Sequence, residues 1–159
     1  MAGNMELIAK GCFRSAVRVT DRFHVQKLAT EALQEMRIKY RWEALDAENE
    51  ATDQARKSKT SFRAEVLSNG DTLKQLLARS RYVLYRRPDA WSESQKERAD
   101  LLFEKYPKLK QTYNLSLNLS NIFEKTTDKL YGLARLAKWH EAVRQLGFKS
   151  FNTISRSIQ

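Results

Sequence analysis

The chain has 159 residues and a formal net charge of +10, from 29 Lys and Arg against 19 Asp and Glu. This length suits about one domain with its own hydrophobic core, and the charge favours a polyanionic partner. One cysteine and two histidines exclude an internal disulfide and a structural zinc site of the Cys/His type.

No stretch of the sequence is typical of export or of membrane insertion. The longest run without a charged residue, 111–123, is shorter than the about 18 apolar residues that a membrane-spanning helix needs, and it includes several Asn and Ser. The first residues lack a basic stretch followed by an apolar one. We therefore expect a protein of the reducing cytoplasm without a membrane contact.

The first 20 residues predict a short helix and then a strand. Met5, Ile8 and Cys12 recur at helical spacing, and Gly11 stands near the point where this helix would end. Residues 15–20 alternate apolar and polar side chains, as a strand does. A lone strand leaves backbone groups unpaired on both edges, so we expect its partner strands to come from residues outside this chain.

A long helix is predicted from residue 21 onward. The apolar residues change to helical spacing there, and no Gly or Pro follows before Gly70. Thr20 or Asp21 would be its N-cap. Residues 46–59 are mostly polar or alanine, so this part should project into solvent or end in a loop.

Turn and cap signals divide the rest of the chain. Asn69–Gly70 is typical of a turn, and Asp71 is the expected N-cap of a helix that ends at Pro88. Ser92 and Gln95 have the spacing of a capping box, which predicts that the next helix begins there.

Three further helices complete the prediction. Pro107 suits the first turn of a helix, and residues 113–119 fit either a strand or a helix, of which we assign the helix. Thr127 would cap a broad apolar helix that stops at Gly147, and residues 148–158 form a last amphipathic helix. The expected fold is mainly α: a helical bundle with one short β-strand.

Asp21 is the candidate catalytic residue, because it follows the predicted strand and begins the long helix. A carboxylate at the carboxyl end of a sheet strand faces the crevice where open α/β sheets bind ligands, and its hard oxygens suit Mg²⁺. Spacing alone favours the alternative, a plain helix N-cap. His24 lacks neighbouring ligands for a metal cluster.

Five basic residues between Thr72 and Pro88 are candidate DNA contacts, with no acid among them: Lys74, Arg79, Arg81, Arg86 and Arg87. Tyr82 and Tyr85 lie within this run, and basic side chains beside aromatic rings suit phosphate contact with base stacking. The alternative is the solvated face of an amphipathic helix whose tyrosines pack inward.

Residues 39–42 are a weaker candidate for a DNA contact, because acids lie nearby. Trp91 and Trp139 are expected to be core or interface anchors.

Asp21-Arg22-Phe23-His24, followed by a long helix, resembles the bacterial insertion-sequence transposases of the ISL3 family. These are DDE enzymes with an RNase H-like core, whose second acidic residue lies in an Asp-x-Phe-His motif that Asp21 and His24 match. Four later blocks are similar to the helical insertion of that family: IKYRWE at 38–43, NGDTL at 69–73, LARSRY at 77–82 and GFKSFN at 147–152.

The resemblance implies a partial RNase H-like catalytic core at residues 1–40 and a helical insertion domain at residues 41–159. It implies transposon-end DNA as the partner, Mg²⁺ as the cofactor of the complete enzyme, and Asp21 as one catalytic, metal-binding carboxylate. Self-association is left open.

The first and third acids of the family would lie outside this chain, and a two-metal site needs several carboxylates. The chain would then be an internal fragment, inactive by itself in Mg-dependent strand cleavage and transfer. The alternative is a non-enzymatic helical module that binds nucleic acid or protein, with Asp21 as a cap only.

Overall fold

The computed structural model describes Gly11 and residues 21–158. The predicted strand at residues 15–20 lies outside this part, as does the predicted first helix at residues 5–13 apart from Gly11. The helices are α1 (Arg22–Lys57), α2 (Leu73–Arg79), α3 (Arg81–Tyr85), α4 (Glu93–Lys105), α5 (Pro107–Lys125), α6 (Lys129–Leu146) and α7 (Lys149–Ile158), with a 3₁₀ turn at Pro88–Ala90. β-type backbone pairing in the described residues is limited to one isolated antiparallel bridge, Val66 to Thr72. The prediction of a mainly α fold is confirmed.

Helix α1 is the longest element and runs for 36 residues. Asp21 is its N-cap, and Asp21 Oδ1 accepts a hydrogen bond of 2.9 Å from the backbone N–H of Phe23. The polar stretch after residue 46 stays helical as far as Lys57. The predicted domain boundary at residues 40/41 lies inside this continuous helix, and the division into two domains stays a prediction.

Two hydrophobic clusters pack along α1. The first joins the N-terminal half of α1 to α5, α6 and α7, and its buried members include Val25, Leu119 and Phe151. The second, which includes Leu33 and Leu102, joins the following turns of α1 to α2, α3, α4 and the start of α5. Because α1 contributes to both clusters, it is the common support of the bundle.

Two predicted caps are wrong, each by one residue. Thr72, not Asp71, caps α2: Thr72 N–H donates to Gln75 Oε1 at 2.9 Å, and Gln75 N–H donates back to Thr72 Oγ1 at 3.4 Å. Asp128, not Thr127, caps α6 and accepts from Tyr131 N–H at 2.7 Å. In both places the residue nearer the helix has the extended backbone from which a side chain reaches the first-turn N–H groups.

The helix predicted from residue 71 to Pro88 is also interrupted. Ser80 separates α2 from α3, and its hydroxyl donates to the carbonyl oxygen of Leu76 at 2.5 Å. A serine that bonds back to the previous turn in this way competes with the helical pattern. The bend turns α3 so that Val83 and Leu84 are buried.

Other predicted elements are confirmed. Residues 113–119 are helical within α5, which begins at Pro107, and Gly147 ends α6 in the left-handed conformation at φ 66°. Trp139 is buried and donates from Nε1 to the carbonyl oxygen of Leu115 at 2.9 Å. It is therefore a core anchor, as expected.

Asp71 has a structural role that the sequence did not indicate. It is 1% exposed, and its backbone N–H donates to Asn69 Oδ1 at 3.1 Å. Its carboxylate pairs with Arg79 from α2 and accepts from Arg98 Nε of α4 at 3.2 Å. This buried carboxylate with two arginines fixes the loop before α2 to two helices.

Candidate nucleic-acid interface

Helix α3 presents its polar and aromatic side chains to solvent. Its five residues bury only Val83 and Leu84, so the other three point outward. Tyr82 is 66% exposed and Tyr85 is 51% exposed. The expectation that these tyrosines pack inward is therefore wrong, whereas the choice between a solvated basic face and a DNA contact is untested.

Two of the five predicted DNA contacts are engaged in ion pairs on or near α2. Lys74 Nζ lies 2.7 Å from Glu48 Oε1 of α1, and Arg79 pairs with the buried Asp71. Each cation therefore has a carboxylate partner in the same chain, although Arg79 shares Asp71 with Arg98. They hold α2 against its neighbours and are less suited to a phosphate.

Arg87 is also held within the chain. Its Nη1 donates to Asn121 Oδ1 at 2.9 Å, and its Nη2 lies 2.6 Å from Glu124 Oε2. The Ser120 hydroxyl, which donates to the Glu124 carboxylate at 2.8 Å, lowers the pKa of Glu124, and Arg87 lowers it further. Arg87 thus fastens the segment after α3 to the end of α5.

Arg81 and Arg86 differ from the other three, because neither forms an ion pair among the described residues. The guanidinium carbon of Arg81 lies 6.0 Å from the centroid of the Tyr82 ring, within the range of a cation–π contact. Both arginines are exposed. Their charges are available to a ligand.

A buried arginine supports this surface from below. Arg37 is 6% exposed; its Nε donates to Gln34 Oε1 at 2.7 Å and its Nη1 donates to the carbonyl oxygen of Leu77 at 2.8 Å. Burial lowers the pKa of Arg37, and the neighbouring charges of Arg41 and Arg81 lower it further. Three guanidinium groups are therefore close together.

We call the exposed set formed by Arg41, Arg81, Tyr82, Tyr85 and Arg86 the Arg81 surface. From the sequence, Arg41 was among the weaker candidates, because Glu35 and Glu43 lay near it along the chain. In the structure Glu43 lies 3.8 Å from Lys39 instead. The spacing of Arg37 and Arg41, four residues apart on one helix, could have shown that they share a face.

Asp21 lies at the N-terminal end of α1, whereas Arg37 and Arg41 lie in the middle of that helix. It is exposed, and within the described residues its carboxylate makes only the cap hydrogen bond to Phe23 N–H. Phe23 is 72% exposed, with the Arg22 guanidinium carbon 4.8 Å from its ring centroid. His24 is also exposed. Of the predicted DNA contacts, Arg87 lies near this end of α1, because its partner Glu124 lines a pocket together with Arg22 and Phe23.

A family model described as "Transposase", that of the ISL3-type DDE transposases, matches residues 1–159. The chain belongs to the ISL3 transposase family. No curated protein and no solved structure matches it.

The residues of this transposase that the structure describes do not by themselves fit a magnesium site. No group of three or more His, Cys, Asp or Glu side chains converges there. Asp21 offers one hard oxygen donor, whereas Mg²⁺ requires near-octahedral coordination. Over the same residues, none of the helices is long and apolar enough to cross a bilayer.

Proposed function

We propose that this ISL3-family chain contacts DNA through the Arg81 surface. The observation that carries the proposal is the contrast among the predicted residues: Lys74, Arg79 and Arg87 have carboxylate partners in the chain, whereas Arg81 and Arg86 have none among the described residues. The transposase family membership supplies the class of partner.

The chemistry of the surface suits a nucleic-acid backbone. Arginine forms paired hydrogen bonds with phosphate oxygens, and binding releases condensed counterions from the DNA. Tyr82 and Tyr85 add exposed rings that can pack on sugars or on unpaired bases. Arg37 keeps the surface in place without being exposed itself.

The test compares two double variants that remove the same charge. We expect R81A/R86A to weaken binding of a duplex oligonucleotide about thirtyfold at low salt, by fluorescence anisotropy, since each of the two guanidinium–phosphate contacts contributes about 1 kcal/mol. The control is R63A/R156A, which removes two exposed arginines elsewhere. Equal losses in both variants would show that net charge, not this surface, binds DNA. Absence of any DNA affinity would favour a module that binds protein.

We also propose that Asp21 is one metal-holding carboxylate of the complete transposase, with the other acids supplied from outside this chain. The support is its place in the Asp-x-Phe-His motif at the start of α1. Asn caps a helix as well as Asp does. D21N in an intact transposase should therefore abolish Mg-dependent strand cleavage while leaving the melting temperature and DNA binding unchanged. Retained cleavage would contradict the assignment, as would nuclease activity of residues 1–159 alone.

A further inference from the structure

A second site lies where α1 passes from one hydrophobic cluster to the other. A cavity of about 250 Å³ opens there between α1, the start of α5 and the start of α7. Its lining combines apolar and cationic side chains: Met36, Tyr40 and Phe148 with Lys39, Lys108 and Lys149.

The three lysines give the cavity its positive rim. Lys108 and Lys149 are exposed and form no ion pair in the part of the chain that the structure describes. Lys39 has only a loose pair with Glu43, at 3.8 Å. Ammonium groups on three different helices that face one opening are suited to a phosphate, which they can reach as point charges.

The apolar side of the cavity has aromatic walls. Met36 and Tyr40 are partly buried against the second cluster, and Phe148 is partly buried against the first. Aromatic faces and a thioether accommodate a planar ring, and a base stacks on them without a sequence requirement. The volume is below that of pockets for drug-sized ligands, so it suits one ring system.

Besides Glu43, which pairs with Lys39, a second carboxylate lies at this rim and would repel a bound anion. Ser150 Oγ donates to Glu35 Oε2 at 3.1 Å, which brings the Glu35 carboxylate beside the opening. With Glu35 and Glu43 counted against the three lysines, the rim remains positive. Removing the negative charge of Glu35 should therefore strengthen anion binding, whereas removing the lysine charges should weaken it.

The cavity and the Arg81 surface are separate. Met36, Lys39 and Tyr40 lie on a different side of α1 from Arg37 and Arg41, as the 3.6-residue period requires. A ligand in the cavity would leave the Arg81 surface open.

We infer that this cavity binds one nucleotide unit, with the base between Tyr40 and Phe148 and the phosphate on Lys39, Lys108 and Lys149. The unit is either a free mononucleotide or an unstacked nucleotide of a DNA strand. A base taken out of its stack needs such a pocket, and unstacking costs least when the base is already single-stranded.

Titration calorimetry of residues 1–159 with thymidine 5′-monophosphate tests the site. K108A/K149A should weaken binding about tenfold or more, since it removes two charge-assisted contacts. The control K105A/K110A removes two exposed lysines that do not line the cavity and should leave binding unchanged. E35Q should bind more tightly than the wild type. No binding by the wild type, or equal losses in both lysine variants, would overturn the proposal.

Three comparisons identify the ligand. F148L should weaken the mononucleotide but not inorganic phosphate; equal binding of the two probes would overturn the role of the base. A single-stranded oligonucleotide that displaces the mononucleotide, and binds more tightly, identifies a strand as the source; weaker binding identifies the free nucleotide. R81A/R86A should leave mononucleotide binding intact, so failure of this proposal is distinguishable from failure of the duplex contact.

Discussion

Arg37 Nη1 donates a hydrogen bond of 2.8 Å to the carbonyl oxygen of Leu77, and this bond joins the middle of α1 to the end of α2. The guanidinium is 6% exposed and also donates to Gln34, whose amide in turn donates to the carbonyl oxygen of Arg81 at 3.4 Å. A buried charge of this kind is tolerated because hydrogen bonds replace its water. It orients α3, and with it the Arg81 surface.

Replacing Arg37 should destabilise the bundle. R37M leaves the Leu77 carbonyl and Gln34 Oε1 without this donor, and we expect a loss of about 2–3 kcal/mol in the free energy of unfolding. Urea unfolding followed by circular dichroism measures it. The matched control is R41M, an exposed arginine one turn further along α1, which should change stability by less than about 0.5 kcal/mol. Equal effects of the two substitutions would argue against the role of Arg37.

Salt dependence should report the Arg81 surface directly. The logarithm of the DNA association constant falls linearly with the logarithm of salt concentration, by about 0.9 for each phosphate neutralised. R81A/R86A should reduce that slope by about 2, since two phosphate contacts are lost. Anisotropy titrations at several salt concentrations provide the measurement. An unchanged slope would mean that these arginines do not touch phosphates.

The buried Asp71 should be one of the most sensitive positions in the chain. D71N keeps the size of the side chain but leaves Arg98, which is 20% exposed, beside an uncharged amide. Breaking a buried ion pair from one side is costly, and we expect a loss of about 2–4 kcal/mol. Thermal or urea unfolding checks this. D100N, at an exposed acid on α4, is the control that should be nearly neutral.

Alkaline pH should weaken the fold through Tyr113. Burial raises the pKa of Tyr113, whose hydroxyl donates to the carbonyl oxygen of Arg86 at 2.6 Å. Above pH of about 10 an unfolded tyrosine ionises, whereas Tyr113 in the folded protein stays protonated. The contribution of Tyr113 to the free energy of unfolding is therefore complete below that pH and declines above it. When urea unfolding is compared at pH 9 and pH 11, the free energy of unfolding of Y113F should fall less between the two pH values than that of the wild type. Y131F, at a tyrosine that is 61% exposed, should show the wild-type loss.

Much of the fold followed from local signals, because helix periodicity and breakers act over a few residues. The long helix after Asp21, the helix through residues 113–119 and the stop at Gly147 were all predictable in this way. The two caps were misplaced by one residue, since Asp71 and Thr127 are as good capping types as their neighbours. Only the backbone conformation decides between them.

The candidate site was less predictable, because charge pairing depends on distant residues. Lys74 is paired with Glu48, which lies 26 positions earlier, and Arg87 with Glu124, 37 positions later. A run of basic residues does not show which of its members these acids neutralise. The place of Arg41 on this surface was hard to predict for the same reason, because Glu43, its neighbour along the chain, pairs with Lys39 instead.

The uninterrupted helix α1 also fixes the distance between residues at its start and in its middle. At 1.5 Å per residue, about 30 Å of rigid rod separates Asp21 from Arg41. Duplex DNA rises 3.4 Å per base pair, so this span corresponds to about nine base pairs. If the Arg81 surface binds DNA and Asp21 holds a metal as proposed, a duplex that contacts Arg41 and lies along α1 would pass Asp21 about nine base pairs from that contact. The distance between the two proposed contacts would then be set by the helix itself.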